Sequence, residues 1–125
     1  MPSTRTLVTL FATGRLLFGV GLLAKPQKLA SGWIGEDGER EPVKVVLRGL
    51  GARDIALSAG ALASLDDDDR LALWLGGAIV GDLADAVSIF LPPASTLPRN
   101  ARWGTLALGG GAAVAGAALL RRVWQ

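Results

Sequence analysis

The chain of 125 residues contains no cysteine, no histidine and no tyrosine. Disulfides, thiolate or imidazole metal sites, Ser-His triads and haem ligation by His or Cys are therefore all excluded. Acid-base work falls to Asp, Glu, Arg and Lys, and neither a cofactor nor a metal is expected. Excess charge is also scarce: 13 Lys and Arg stand against 11 Asp and Glu, a net +2, with aromatics at only 6%. The arginines are scattered and form no basic stripe interleaved with aromatics, which argues against a nucleic-acid partner. Nor does a convincing small-residue cleavage site follow the first apolar segment, which Arg15 interrupts, so that segment is expected to persist as a helix.

Apolar residues and glycine are what the chain has in abundance. Half of it is hydrophobic and 17 residues are glycine, with a mean hydropathy of +0.41. A soluble domain of this size is seldom so apolar, and an integral membrane protein is the natural class. At 1.5 Å of rise per residue, about 20 apolar residues cross a hydrocarbon core about 30 Å thick. Four stretches qualify, at residues 5–24, 43–65, 71–91 and 103–120, so residues 1–125 are expected to form a single all-α domain, a four-transmembrane-helix bundle in the cell membrane.

Gly14, Gly19 and Gly21 on the first span offer small surfaces to a neighbouring helix. Residues 25–42, rich in charge, glycine and proline, read as a solvated linker or as a lid over a membrane-facing cavity, with Leu29, Trp33 and Ile34 at headgroup level. On the second span Gly51, Asp54 and Ser58 share one face. Asp66 to Asp69 read as a solvated turn. The third span presents Gly77, Gly81, Asp85 and Ser88 as a small, polar stripe with Asp82 beside them, and is expected to end at Pro92-Pro93. The fourth is a close-packing wall of Gly and Ala. Six basic residues (Lys25, Lys28, Arg40, Lys44, Arg99, Arg102) flank the spans on the side of the first and third loops, against Arg5, Arg70, Arg121 and Arg122 on the other, which favours a cytoplasmic placement of those loops.

Most costly to place are the charges within the spans: Arg15, Arg48 and Arg53 against Asp54, Asp82 and Asp85. Each one at a bilayer centre costs about 2.5 to 3.5 kcal/mol on insertion scales. Measured from the side of the first and third loops, Arg15, Arg53, Asp54 and Asp82 lie about 13 to 17 Å deep, and Arg48 and Asp85 about 7 to 9 Å deep. Such layering predicts one buried, charge-neutral network from three helices. As interhelical glue it is expensive, because buried ion pairs stabilise weakly; as a functional site it is the default reading of intramembrane charge. Neighbouring carboxylates in low dielectric do not easily both ionise, so such a pair splits into an acid and a base. That division suits the opening of an epoxide, or an isomerisation or cyclisation, with one carboxylate activating water and the other protonating the leaving oxygen. Asp82 and Asp54 are assigned as the acid-base pair, Arg53 and Arg15 as electrostatic supports, and Asp85 with Arg48 as a pair at the entrance.

The Asp-Arg-Asp grouping resembles, in chemistry only, the catalytic set of limonene-type epoxide hydrolases. The strings Arg48-Gly49-Leu50-Gly51-Ala52-Arg53-Asp54 and Gly14-Arg15-Leu16-Leu17-Phe18-Gly19, with the loop after Ala24-Lys25-Pro26, resemble small four-helix bacterial membrane proteins of the DoxX-like and uncharacterised-domain kind. Similar small membrane proteins of polyketide pathways have epoxide opening attributed to them, so the resemblance implies a membrane enzyme acting on a lipophilic small molecule among membrane lipids. The rivals are a magnesium-dependent lipid-phosphate enzyme using Asp82-x-x-Asp85, a proton-coupled transporter, which in four short helices would need a homo-oligomer, and a non-catalytic membrane subunit.

Overall fold

The computed structural model describes residues 1–125 and is all helical. Five helices follow one another: α1 (Thr4–Ala24), α2 (Pro26–Ile34), α3 (Glu41–Ala63), α4 (Asp68–Ser88) and α5 (Ala101–Val123). Three of them, α1, α4 and α5, are long and apolar enough to cross a membrane. The helix α3 equals them in length, at 23 residues, but Glu41, Lys44, Arg48, Arg53 and Asp54 lower its hydropathy and keep it out of that set. Around the bundle α1 packs on α3, α3 on α4 and α4 on α5, while α1 and α5 close the ring only loosely.

Local chemistry explains where the helices begin and end. The Ser3 hydroxyl accepts the Thr6 amide at 3.1 Å to cap α1, and a carboxylate oxygen of Asp67 accepts the Arg70 amide at 3.1 Å to cap α4. The acidic run expected as a solvated turn is thus partly helical. Asp67 is the cap, and Asp68 and Asp69 form the first turn, where negative charge favours the unpaired amides of a helix start. The stretch 25–42 likewise departs from a linker: Pro26 starts α2 with its fixed φ, and Gly35, at φ 61°, stops it in a conformation that side chains resist. A 3₁₀ turn over Gly35–Glu39 leads into α3. At the far end of α4 the helix stops at Ser88, short of Pro92-Pro93, and the intervening residues form a turn.

Two apolar clusters hold the ends of the bundle. Val8, Ala12, Ala61, Leu71, Leu75 and Leu119 fill one end; Leu22, Ala30 and Leu47 fill the other, under α2. Close backbone crossings lock the helices between them. A Cβ on Gly19 would lie 2.6 Å from the Gly51 carbonyl oxygen, and one on Gly109 would lie 2.9 Å from that of Asp82. Only glycine lets α1 meet α3, and α5 meet α4, at such range. Gly109 sits in a π-turn, Leu106–Gly110, that interrupts the regular winding of α5. The inward stripe of α4 runs through Leu71, Leu75, Ala78, Asp82 and Ala86. The small, polar stripe expected beside it is seen in part: Gly81 lies against the Arg53 guanidinium and Asp85 and Ser88 border a cavity, while Gly77 is exposed.

Candidate active site

Arg15 of α1 occupies the middle of the bundle. Its guanidinium forks: one terminal nitrogen donates to Asp82 Oδ2 at 2.5 Å and the other to Asp54 Oδ1 at 2.7 Å. The three side chains are only 11%, 8% and 6% exposed for Arg15, Asp54 and Asp82. A second pair lies nearer solvent. Arg53 donates through both terminal nitrogens to Asp85, at 2.5 and 3.3 Å, with the partners 35% and 34% exposed. Arg53 reaches Asp85 by lying across Gly81, where an added Cβ would come within 3.5 Å of the guanidinium carbon. Bidentate geometry of this kind fixes direction as well as charge.

Five of the six residues singled out by sequence thus come together, and Arg48 does not. Arg48 is exposed, and its Nε reaches the Leu23 carbonyl oxygen at 3.4 Å. Asp85 therefore pairs with Arg53, not with Arg48. The reason is angular: residues five apart on an α-helix point about 140° from one another, so matching depth did not bring Arg48 to the face that carries Arg53. Without Arg48 the network is no longer neutral, and two guanidiniums face three carboxylates.

The two ion-paired groups stand on the wall of a cavity of about 600 Å³. Phe11, Phe18, Trp33, Leu47, Leu50 and Leu108 supply most of its apolar surface, and Ser88 and Thr105 add hydroxyls. Of this apolar lining sequence reasoning pointed only to Trp33, in the stretch read as a linker or as a lid over a membrane-facing cavity. Trp33 comes from the short α2, packed against the Gly104 end of α5, and Leu108 and Gly109 come from the π-turn. A further available signal was Gly14, assigned to helix contact yet facing the cavity, where an added Cβ would meet nothing within 4 Å.

Each buried carboxylate spends one oxygen on Arg15 and keeps the other free. Asp54 Oδ2 and Asp82 Oδ1 make no hydrogen bond within the protein and are not sealed by it, and both residues border the cavity. Ser58, on the same stripe as Gly51 and Asp54, is fully buried, and its hydroxyl, like Arg15 Nε, has no protein partner. The carboxylates of Asp82 and Asp85, three residues apart, turn to different arginines, and no three acidic groups cluster closely enough to hold a metal ion.

This is a helical bundle, three of whose helices are long and apolar enough to cross a membrane, with a largely apolar cavity bordered by an Arg-bridged carboxylate pair. No family model, curated protein or solved structure matches the chain.

Proposed function

We propose that the protein is a multi-pass membrane enzyme that opens an epoxide on a lipophilic small molecule by acid-base catalysis between Asp54 and Asp82. In this reading α3 is a fourth span, its polar residues Arg53 and Asp54 turned to the cavity and its Arg48 toward the interface, in the cell membrane. The observation that carries the proposal is the Arg15 fork, which holds two carboxylates side by side at the border of an apolar chamber and leaves one oxygen of each without a protein partner.

The chemistry follows from that arrangement. One of Asp54 and Asp82 takes the part of base and the other the part of acid. The ionised member takes a proton from water as the water oxygen bonds to an epoxide carbon. The protonated member gives its proton to the ring oxygen as the carbon–oxygen bond breaks, and a vicinal diol forms. The proton then sits on the other carboxyl group, and its return across the cavity resets the site. Arg15 keeps both carboxylates at fixed spacing throughout, and Arg53 with Asp85 closes the polar side of the chamber. An isomerisation or cyclisation of an epoxide would use the same pair, with an internal nucleophile in place of water.

A second reading has its own support. Arg15 and Arg53 each direct both terminal nitrogens to aspartates on other helices, as in a non-catalytic subunit whose ion pairs hold its helices together. Substitution separates the two. In protein reconstituted with a panel of long-chain epoxides, Asp54→Asn and Asp82→Asn should each lower diol formation by about 10²- to 10⁴-fold while helix content and melting stay close to wild type. Full activity in either variant would remove that residue from the chemistry.

A further inference from the structure

The cavity is not closed on all sides. Helix α1 meets α5 chiefly beyond Gly111, where Gly116 approaches Phe11 and Ile79. Toward α2 the two helices stand apart, with the chamber between them. Among the lining residues, Leu10 and Leu108 are 64% and 50% exposed, and exposed Gly14 sits across the gap with open space in front of it. Both helices that frame the gap are long and apolar enough to cross a membrane, so in a bilayer the gap would open to lipid. Its rim is apolar, and its floor carries the free oxygens of Asp54 and Asp82.

We infer that the α1/α5 seam is a lateral portal through which a bilayer-dissolved molecule, with a long apolar chain and one compact polar group, passes from the lipid into the chamber, and that Gly14 sets its width. This rests on the proposed function for the reaction but not for the passage. The occupant is a lipid-like molecule rather than a second copy of the chain because the seam leads inward to polar atoms that lack partners. A helix packed over Leu10 and Leu108 would bury those atoms unsatisfied, and unpaired polar groups sealed in hydrocarbon are costly. A long chain laid in the seam keeps its tail in the lipid while its polar group reaches the carboxylates. Gly14 is the point of control: it is the cavity-lining position of α1 with no side chain, and adding one there meets no atom of the protein.

The test uses the full chain in phosphatidylcholine vesicles with a long-chain 1,2-epoxide that carries a diazirine near its polar end. After irradiation, mass spectrometry maps the crosslinked residues. Wild-type protein should label at Phe18 and Trp33 inside the chamber. Gly14→Phe should cut that interior labelling by about tenfold or more, as expected when a cavity loses the room for a chain, and leave labelling of outward-facing Val114 unchanged. Leu108→Trp, from the opposite wall, should do the same and serves if Gly14→Phe fails to fold. Interior labelling that survives in either folded variant overturns the portal, as does its absence from wild-type protein. Leu10→Cys reports the rival occupant in a chain otherwise free of thiols: near-complete disulfide dimer in dilute vesicles would mean that a second copy covers the seam. Interior labelling that Gly14→Phe abolishes, with no diol formed by wild-type protein, keeps the portal and sinks the enzyme reading. Equal diol formation by wild type and both folded variants sinks the portal alone.

Discussion

At one end of the bundle Val8, Ala61 and Leu75, from α1, α3 and α4, meet in a filled apolar cluster. Seven residues along each helix, about two turns and so on the same face, stand Arg15, Asp54 and Asp82, bridged to one another beside a cavity of about 600 Å³. The three helices thus repeat one inward position with opposite chemistry. A layer of aliphatics needs no partner beyond shape, and it packs shut. A layer of charges must satisfy each member by hydrogen bonds, and in doing so it holds space open. The packed end gives the bundle its rigidity; the charged layer holds polar atoms in a low-dielectric chamber, where their electrostatic effects are largest.

Removing the bridge should have the largest effect on the contrast between the two layers. Arg15→Leu leaves Asp54 and Asp82 buried and uncompensated and should destabilise the protein by about 3 to 5 kcal/mol, as read by unfolding in mixed micelles. The converse change should sharpen it. Writing the packed layer into the charged one, as Arg15→Val, Asp54→Ala and Asp82→Leu together, should restore stability to the wild-type level or exceed it by about 1 to 4 kcal/mol, with diol formation abolished. If the ion pairs were present for stability, this triple variant would be the weaker protein.

Smaller changes contrast filled with hollow. Leu75→Ala in the packed end should cost about 2 to 4 kcal/mol, and Leu47→Ala, whose side chain already borders open space, about 1 kcal/mol, because the penalty depends on the packing lost. Within α1 the two glycines should differ in the same sense. Gly19→Ala drives a Cβ against the Gly51 carbonyl oxygen and should cost about 1 to 3 kcal/mol, whereas Gly14→Ala should stay within about 0.5 kcal/mol. Thermal melts of the purified variants in one detergent decide both pairs.

The charged layer was legible in the sequence because charge in an apolar run is conspicuous and helical rise turns residue number into depth. Depth grouped Arg15, Asp54 and Asp82 correctly but put Arg53 in their layer and Arg48 beside Asp85, whereas Arg53 is the partner of Asp85 and azimuth removes Arg48. The Gly51, Asp54, Ser58 stripe was readable for the same reason: it follows one helical face, and all three residues are buried. The cavity was not legible. Its walls are ordinary leucines and phenylalanines, and whether such side chains meet or leave a gap depends on how far apart α1 and α5 stand. That distance is set by Gly109 against α4 and by the π-turn, neither of which has a periodic signature. Helix α2 was missed because it is only nine residues long, begins at a proline and runs straight into the charged, glycine-rich residues 35–41, and it is held by docking on α1 and α5.

Under the proposed mechanism water attacks the epoxide directly between Asp54 and Asp82, and a single-turnover hydrolysis in ¹⁸O-water tests this. With protein in excess over a long-chain epoxide, one ¹⁸O atom should appear in the diol from the first turnover, with no label in either aspartate and loss of the reaction in Asp54→Asn and Asp82→Asn. Unlabelled diol from the first turnover, with ¹⁸O retained in a carboxylate after that same turnover and passed to the diol only on the next, would show an aspartate acting as nucleophile and would contradict it.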